Sequence, residues 1–489
     1  MIQRLISRFR SEPFLWSSLA IAALVYALIS FVNHYCFRTY TLDLGAYTNA
    51  LHDYAHFSFN DSSTFKTVPE NLLADHFDLY LPIFSPLVYL FGTYTLLVVQ
   101  LVAVLIGATG IYRYFDYRFP NTNLKRFALI YFLLFFGIFA AFSFDYHSNV
   151  VATMLVPWLL LAFAKRKFRS IVVLTILILI AKENMSLWVI FIGFGMCYTY
   201  FRDKQLRYLA LGISGFSMLY FVLITGVVMP ALSNSGTYPH FHYSVLGTGA
   251  GEALIQLLSH PIDSCKLLFI NHTPFPENNG VKAEFWIVTV VCGIFCLIRK
   301  PIYLLMLIPV FAQKLFHDNT AMWGINQHYA IELAPLLTIG TFEAISKFQN
   351  MHWKRIASFT AVICSLACAI RVMDNTIAYA EKARIRIYKE AHYSREFPVD
   401  EAYTILNQIP ENAIVSAQSA FVPHLAVRES VYQFPIIRNA EYILLSPVEN
   451  PYPLTAEEFT HKKDSLLNSS TWKIVTKNKT FILLKKQQP

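Results

Sequence analysis

Residues 170–201 read SIVVLTILILIAKENMSLWVIFIGFGMCYTYF, two apolar runs joined by Lys182-Glu183-Asn184. One membrane crossing takes about 20 residues, so the stretch is too long for one helix and short for two. Its flanks decide between the readings. Both are basic, with Lys165, Arg166, Lys167 and Arg169 before it and Arg202, Lys204 and Arg207 after it. Short loops rich in Lys and Arg stay on the cytoplasmic side, so equal flanks demand an even number of crossings or a re-entrant pair. Either way Lys182 and Glu183 point toward the outer face.

The same alternation runs through most of the chain. It is 489 residues long, 55% hydrophobic and only 15% charged. Its mean hydropathy is +0.43, and a soluble chain would carry roughly a quarter charged residues. Crossings are expected near Phe14–Val32, Thr95–Tyr114, Arg126–Ser143, Asn149–Ala164, Ser170–Ala181, Met185–Phe201, Tyr208–Met229, Glu284–Ile298, Ile302–Phe316, Tyr329–Ser346 and Ile356–Met373. Leu79–Phe91, broken by Pro82 and Pro86, is too short and kinked to cross alone. The expected fold is an all-α polytopic membrane bundle of about eleven transmembrane helices, followed by a small C-terminal α/β extracytoplasmic domain.

The net charge of +9 sits in short loops, where orientation in the bilayer explains it better than nucleic acid does. With the N-terminus inside, the remaining inner loops hold Arg113, Arg118, Lys125 and Arg126, then Arg299 and Lys300, then Lys347, Lys354 and Arg355. The short outer loops Phe144–Ser148 and His317–Gln327 carry no Lys or Arg. Residues Met1–Arg10 are basic and amphipathic and lead into an uncleaved first helix. The expected location is therefore a cytoplasmic (inner) type of membrane, with the N-terminus inside and the tail outside. The chain divides at 1–373, a membrane domain with an outer loop at 33–78, and 374–489, an α/β domain. In the tail, Glu381–Arg395 and Pro398–Gln408 read as helices. Ala413–Ala417, Glu441–Ser446, Trp472–Thr476 and Thr480–Lys485 read as strands, the last two as a hairpin. Of the seven cysteines, five lie in or beside apolar runs, and Cys36 and Cys265 fall in outer loops where they could pair.

Ionisable residues beside apolar runs are costly and each invites a functional reading. Asp43, Asp75, His76, Asp145, His147, Lys182, Glu183, His317, Asp318, His328 and Glu332 all land at outer helix ends or in outer loops. Polar helix ends are common, so any one of them is more simply a solvated terminus. The whole set on one side suggests a single polar site open to the outer face. His328 and Glu332 are four apart, so one helical face would hold both and pair them. Asp43 has two readings: an N-cap for the helix that follows, or a general base or metal ligand just above the membrane.

In order and spacing these residues resemble a known family. Asp43-Leu44-Gly45, Asp75-His76-Phe77 with Pro82 and Pro86-Leu87-Val88-Tyr89, and Leu97-x-x-Gln100 are similar to the opening signature of the bacterial membrane proteins of domain of unknown function 2079. His147, Lys182-Glu183, Leu246-Gly247 and His328-Tyr329 followed by Pro335 fit the same family. In the tail so do Pro410, Val415-Ser416-Ala417-Gln418, Pro423-His424-Leu425, Arg428 and Tyr432-x-Phe434-Pro435. The resemblance covers nearly the whole chain. Asn49 departs from an expected Gln, and Asn184 from an expected acidic residue.

The family is grouped with the GT-C integral-membrane glycosyltransferases, which take sugars from polyprenyl-phosphate donors at the outer face. The resemblance implies that Asp43 is the catalytic base for an acceptor hydroxyl. Asp75, His76, His147, Lys182, Glu183, His328, Tyr329 and Glu332 then bind substrate, with Lys182 on the leaving phosphate and Glu183 and Glu332 pairing with Lys182 and His328. A divalent metal is left open as cofactor, with no ligand set firmly assigned. The implied partners are a polyprenyl-phosphate sugar donor, an unknown envelope acceptor and membrane lipid, and no nucleic acid. Two rival classes stand beside this one. In a transporter or lipid-translocating protein, polar residues would reach both faces. In a scaffold, the polar residues at the outer face would be dispensable.

Overall fold

A computed structural model describes residues 12–378 and 380–487. The basic N-terminus expected over Met1–Arg10 lies outside the described residues. Among them, five helices are long and apolar enough to cross a membrane: Pro13–Tyr35, Tyr80–Arg118, Leu124–Phe142, Lys204–Leu232 and Met351–Met373. Shorter apolar helices cover Ser148–Ala164, Phe168–Leu179, Met185–Thr199, Pro301–Leu315 and Leu333–Ser346. The opening stretch is thus two helices, with Lys182-Glu183-Asn184 in the turn between them.

Several expected crossings are interrupted. The chain leaves helical geometry at Phe135, between Leu124–Leu133 and Phe136–Phe142, and at Met154-Leu155 the helical ladder tightens into a turn of i to i−3 hydrogen bonds. The expected Glu284–Ile298 helix ends at Val291 and continues as a tighter turn over Ile294–Arg299, after Gly293 takes a positive φ. Backbones approach closely where side chains are small: a side chain on Gly193 would run into Ser214 and the carbonyl of Ala210 in the neighbouring helix.

The charged loops gather at one end of the bundle. There Arg113 pairs with Glu12, Lys125 with Asp116, Arg166 with Asp203, and Lys300 with buried Glu343. At the other end lies the C-terminal sheet, of β1 (Val415–Ala417), β2 (Val431–Gln433), β3 (Tyr442–Leu445), β4 (Trp472–Lys477) and β5 (Ile482–Lys486). Its order is β2-β1-β3-β5-β4. β1 pairs in parallel with β2 and β3, and β5 runs antiparallel between β3 and β4. The sequence reading found four of the five strands and the terminal hairpin. It missed β2, three residues too short for an alternating pattern, and the helix Ala456–Leu467 with its Thr455/Glu458 capping box.

Glu381–Arg395 is not the charged helix expected. It holds two tight turns, Lys382–Arg384 and Glu390–His392. Its carbonyls go to side chains instead of to a helical ladder. Arg38, buried at the end of the first helix, donates to the carbonyls of His392 (2.8 Å), Ala391 (2.6 Å) and Ser394, and pairs with Glu381. Asn33 donates to the Arg384 carbonyl at 2.7 Å. The segment wraps the helix end and carries the chain into the sheet domain. All seven cysteines are free, with Cys36 buried and Cys265 exposed, so the pairing considered for them is absent.

Replacing Arg38 removes a buried cation and leaves several carbonyls without donors. Arg38→Ala should cost on the order of 3 kcal/mol, read as a lower unfolding midpoint in detergent. Arg38→Lys should recover only part of it, because an ammonium lacks the guanidinium fork.

Candidate functional site

The site is built on the turn that follows the first helix. Thr41–Gly45 forms a widened, π-type turn that leads into the helix Ala46–Ala55. Such turns displace a side chain from the regular helical register and are frequent at functional sites. Asp43 caps no helix here; its recorded partner is His147, whose Nε2 lies 3.3 Å from Oδ1. The carboxyl side chain stays about a quarter exposed.

His147 is set by its own turn. Buried Gln100 accepts from the His147 amide at 3.0 Å, which gives the Leu97-x-x-Gln100 motif a structural role. The imidazole belongs to a cluster of three rings, 3.4 Å from His328 and 5.4 Å from Phe144, which are 6.0 Å from each other. Two imidazoles in that contact cannot both carry charge at low cost, and burial holds His328 well below the ordinary histidine range. His328 and Tyr329 precede the helix Leu333–Ser346 instead of lying on it, because the chain turns at His328–Glu332. The expected His328–Glu332 pair is therefore not made; Glu332 accepts from Asn149 Nδ2 at 2.6 Å.

A second cluster stands alongside. Glu183 receives the Phe77 amide at 3.1 Å and faces His76 Nδ1 at 3.2 Å. The expected Glu183–Lys182 pair is thus replaced by Glu183–His76. His76 stacks on His240 at 4.1 Å, and His240 donates to the Asp75 carbonyl at 2.6 Å. Asp75, His76 and His240 offer three ligand atoms within 4.8 Å of one another. One carboxylate with two imidazoles suits a borderline divalent ion such as zinc better than magnesium or calcium, which prefer all-oxygen shells.

Lys182 has no ion-pair partner among the described residues and lines two cavities. The polar one is small, about 80 Å³, with Asn149, Asn184, Gln313, Lys314, His328 and Glu332 in its walls. The other, of about 710 Å³, has His76, Glu183 and His240 at one end. Elsewhere it is lined by apolar residues such as Leu187, Phe191, Leu257, Ile308 and Phe316. Tyr329 belongs to both walls.

All nine residues singled out in the sequence gather here. Reasoning from the sequence missed His240 and Tyr238, which sit among alternating aromatics in the 238–243 loop, and Arg384. The last donates to Asp145 Oδ1 at 2.8 Å and lies over the Phe144 ring. No local pattern marks Arg384; it arrives from the segment after the last helix.

The carboxylates divide by their partners. At Asp43 burial opposes ionisation, but His147, Lys182 and His76 together hold the group below the usual carboxylate range. Asp75 is held low in the same way, its burial outweighed by His240 and His76. At Asp145 burial pushes the pKa up to about 6 despite the pull of Arg384. Asp78 is pushed up to about 7 by burial, with the Tyr80 amide offsetting only part.

For Asp78 the sign follows directly. Between an unfolded value near 4 and the folded value, the native protein holds a proton that the unfolded chain has released. Its contribution is therefore greatest at low pH and declines as pH rises toward about 7. Asp78→Asn should remove that slope and gain on the order of 2–3 kcal/mol on wild type between pH 5 and pH 8. Thermal unfolding in detergent at the two pH values measures this, and parallel curves would refute it.

A family model described as "Predicted membrane protein (DUF2079)" matches residues 10–483. Among solved structures, the chain is similar to ArnT from Cupriavidus metallidurans bound to undecaprenyl phosphate. The identity is 10% and the TM-score 0.49, over 97% of this chain and 98% of that one. For the apo state of the same protein the values are 10%, 0.48, 97% and 98%. No curated protein matches.

Proposed function

We propose, from the premise that the chain belongs to the DUF2079 family of predicted membrane proteins, that it is a membrane glycosyltransferase. It would move a sugar from a polyprenyl-phosphate donor to an acceptor at the outer face of the cytoplasmic membrane. The observation that carries the reading is the meeting of a polar and a largely apolar cavity at an unpaired lysine, beside an ionised aspartate. An amphiphile with an anionic phosphate fits that combination. Its chain lies along the apolar wall, its phosphate reaches Lys182, and its sugar enters the pocket of Asn149, Gln313, His328 and Glu332.

In this reading Asp43 takes the proton from an acceptor hydroxyl as its oxygen attacks the anomeric carbon. The bond from that carbon to the phosphate oxygen breaks, and the polyprenyl phosphate leaves with the electron pair. Lys182 stabilises the charge that develops on it. His147 fixes the Asp43 carboxylate and favours its ionised form before reaction. A divalent cation held by Asp75, His76 and His240 would add positive charge on the phosphate side.

Two tests follow from this chemistry. Asp43→Asn should lower transfer by about 10²- to 10⁴-fold, while Asp43→Asn protein still folds. The measurement is profiling of envelope glycans and lipid-linked sugars in a deletion strain carrying either form. Loss of one envelope sugar with build-up of its lipid donor supports the reading, and full restoration by Asp43→Asn defeats it. Elemental analysis of the purified chain should find a bound divalent metal that His240→Ala releases; an equal content in both would remove the cation from the scheme.

A further inference from the structure

The helices Ala250–Ser259 and Pro261–Leu267 lie between the long apolar helix that ends at Leu232 and the helix Val281–Val291. An α-helix turns about 100° per residue, and around the first of these helices three arcs follow in order. Ala253 and Leu257 come first and pack toward Leu246 and Phe316 at the wall of the larger cavity. Leu254, Leu258 and Ile255 come next, with 58%, 73% and 68% of their surfaces exposed. Ser259, Glu252 and Gln256 complete the circle with polar groups. The second helix extends the apolar arc with Ile262, 73% exposed, and its Asp263–Lys266 ion pair is open to solvent. Single exposed aliphatics are ordinary on a protein surface, but an aligned run of this size marks an interaction site.

The occupant follows from where the pair is tethered. Lys282 Nζ donates to the Leu267 carbonyl at 2.5 Å, and Trp286 Nε1 donates to the Leu268 carbonyl at 3.0 Å. Both donors lie on the first turns of the apolar helix Val281–Val291. The pair is therefore held at the level where that helix meets the membrane boundary, the depth at which indole rings concentrate. Below Trp286 the same helix leaves Ile287 and Val290 exposed, so the bare arc is continuous with a lipid-facing surface.

We propose that these two helices lie flat on the bilayer, with Ile255, Leu258 and Ile262 immersed among the phospholipids at the boundary of headgroups and acyl chains and Leu254 at the edge between bilayer and cavity. Together they form the wall between the bilayer and the cavity lined by Ala253 and Leu257. The proposal concerns the membrane contact alone and stands whether or not the transferase reading does.

The test uses the full chain in vesicles of phosphatidylcholine and phosphatidylglycerol, ordinary or with brominated acyl chains, which quench tryptophan on contact. Leu258→Trp, Ile262→Trp and Ser259→Trp each add one indole at an exposed position, and wild type gives the background of native tryptophans. Subtracted from that background, the indoles at 258 and 262 should emit at short wavelength and lose at least half their intensity in brominated vesicles. The indole at 259 should lose far less. Emission from 258 and 262 that matches the water-exposed control, unquenched, would overturn the proposal, and short-wavelength emission without bromine quenching would overturn it too, pointing to a second copy as the cover. None of the three positions is packed against a neighbour that a larger ring would displace, and thermal unfolding checks that each variant retains the wild-type midpoint.

Discussion

Thr41–Gly45 is held in place from the far end of the chain. The Thr41 amide donates to Ser419 Oγ at 3.1 Å, and its hydroxyl donates to the Ser419 carbonyl at 3.3 Å. A Cβ on Gly45 would stand 3.1 Å from Val422 and 3.5 Å from Pro423, so the glycine lets the sheet domain seat directly on the turn. A π-type turn leaves backbone groups out of the α-helical register, and buried donors must find partners elsewhere. The tail supplies them. Asn49 makes a further tie, donating to the carbonyls of Ala426 (3.2 Å) and Arg428 (2.8 Å) while accepting from Asn60 and Thr64. Where the resembling family has a longer amide, this shorter one is fully engaged.

Charge at this end of the bundle is then distributed by distance to partners. An isolated carboxylate in a poorly solvated site takes up a proton sooner than remain charged. Asp78 moves that way, to about 7, and Asp145 rises to about 6 because burial and the neighbouring Asp43 outweigh its pairing with Arg384. Asp43 and Asp75 escape because imidazoles and Lys182 lie close enough to outweigh burial. Two pairs of like residues thus end with opposite tendencies on one surface. The separation matters chemically, because a base must be ionised before it can accept a proton.

Much of the bundle was legible because hydropathy and loop charge act over long windows. The turn at Lys182-Glu183-Asn184, the proline-broken helix and the one-sided gathering of Asp43, Asp75, His76, His147, Glu183 and His328 were all present in the sequence. The pairings were not. Spacing put His328 with Glu332 on a helix, but Tyr329 and Glu332 lie in a turn, and Asn149 competes for the carboxylate. Glu183 was assigned to its neighbour Lys182, yet the Phe77 amide and His76 reach it from a loop a hundred residues earlier. Glu381–Arg395 has the composition of an exposed helix, and its fold is decided instead by Arg38 and Asn33 drawing its carbonyls inward. In each case a contact distant in sequence overrode a local rule. The tail motifs were legible as motifs and opaque as to role: Arg428 donates to the carbonyls of Leu425, Pro410 and Ala413, and His424 stacks on His34 at 4.2 Å.

The two ends of the bundle treat buried charge differently, and this bears on mechanism. At the end away from the sheet, Glu343 is closed off by Tyr114 at 2.6 Å and Lys300 at 2.7 Å, and Arg113, Lys125 and Arg166 each meet an acid nearby. Those pairs saturate one another and fix helix ends. At the sheet-bearing end Lys182 borders two cavities with no ion-pair partner among the described residues, and Asp43 keeps a face open to solvent. Carrying a charged headgroup across would require polar groups ready to receive it at both ends, since each must replace hydration that the bilayer interior lacks. Reaction at a single face requires them at one end only. The proposed transfer asks for such groups only at the sheet-bearing end, where Lys182 borders both cavities and Asp43 keeps part of its surface open.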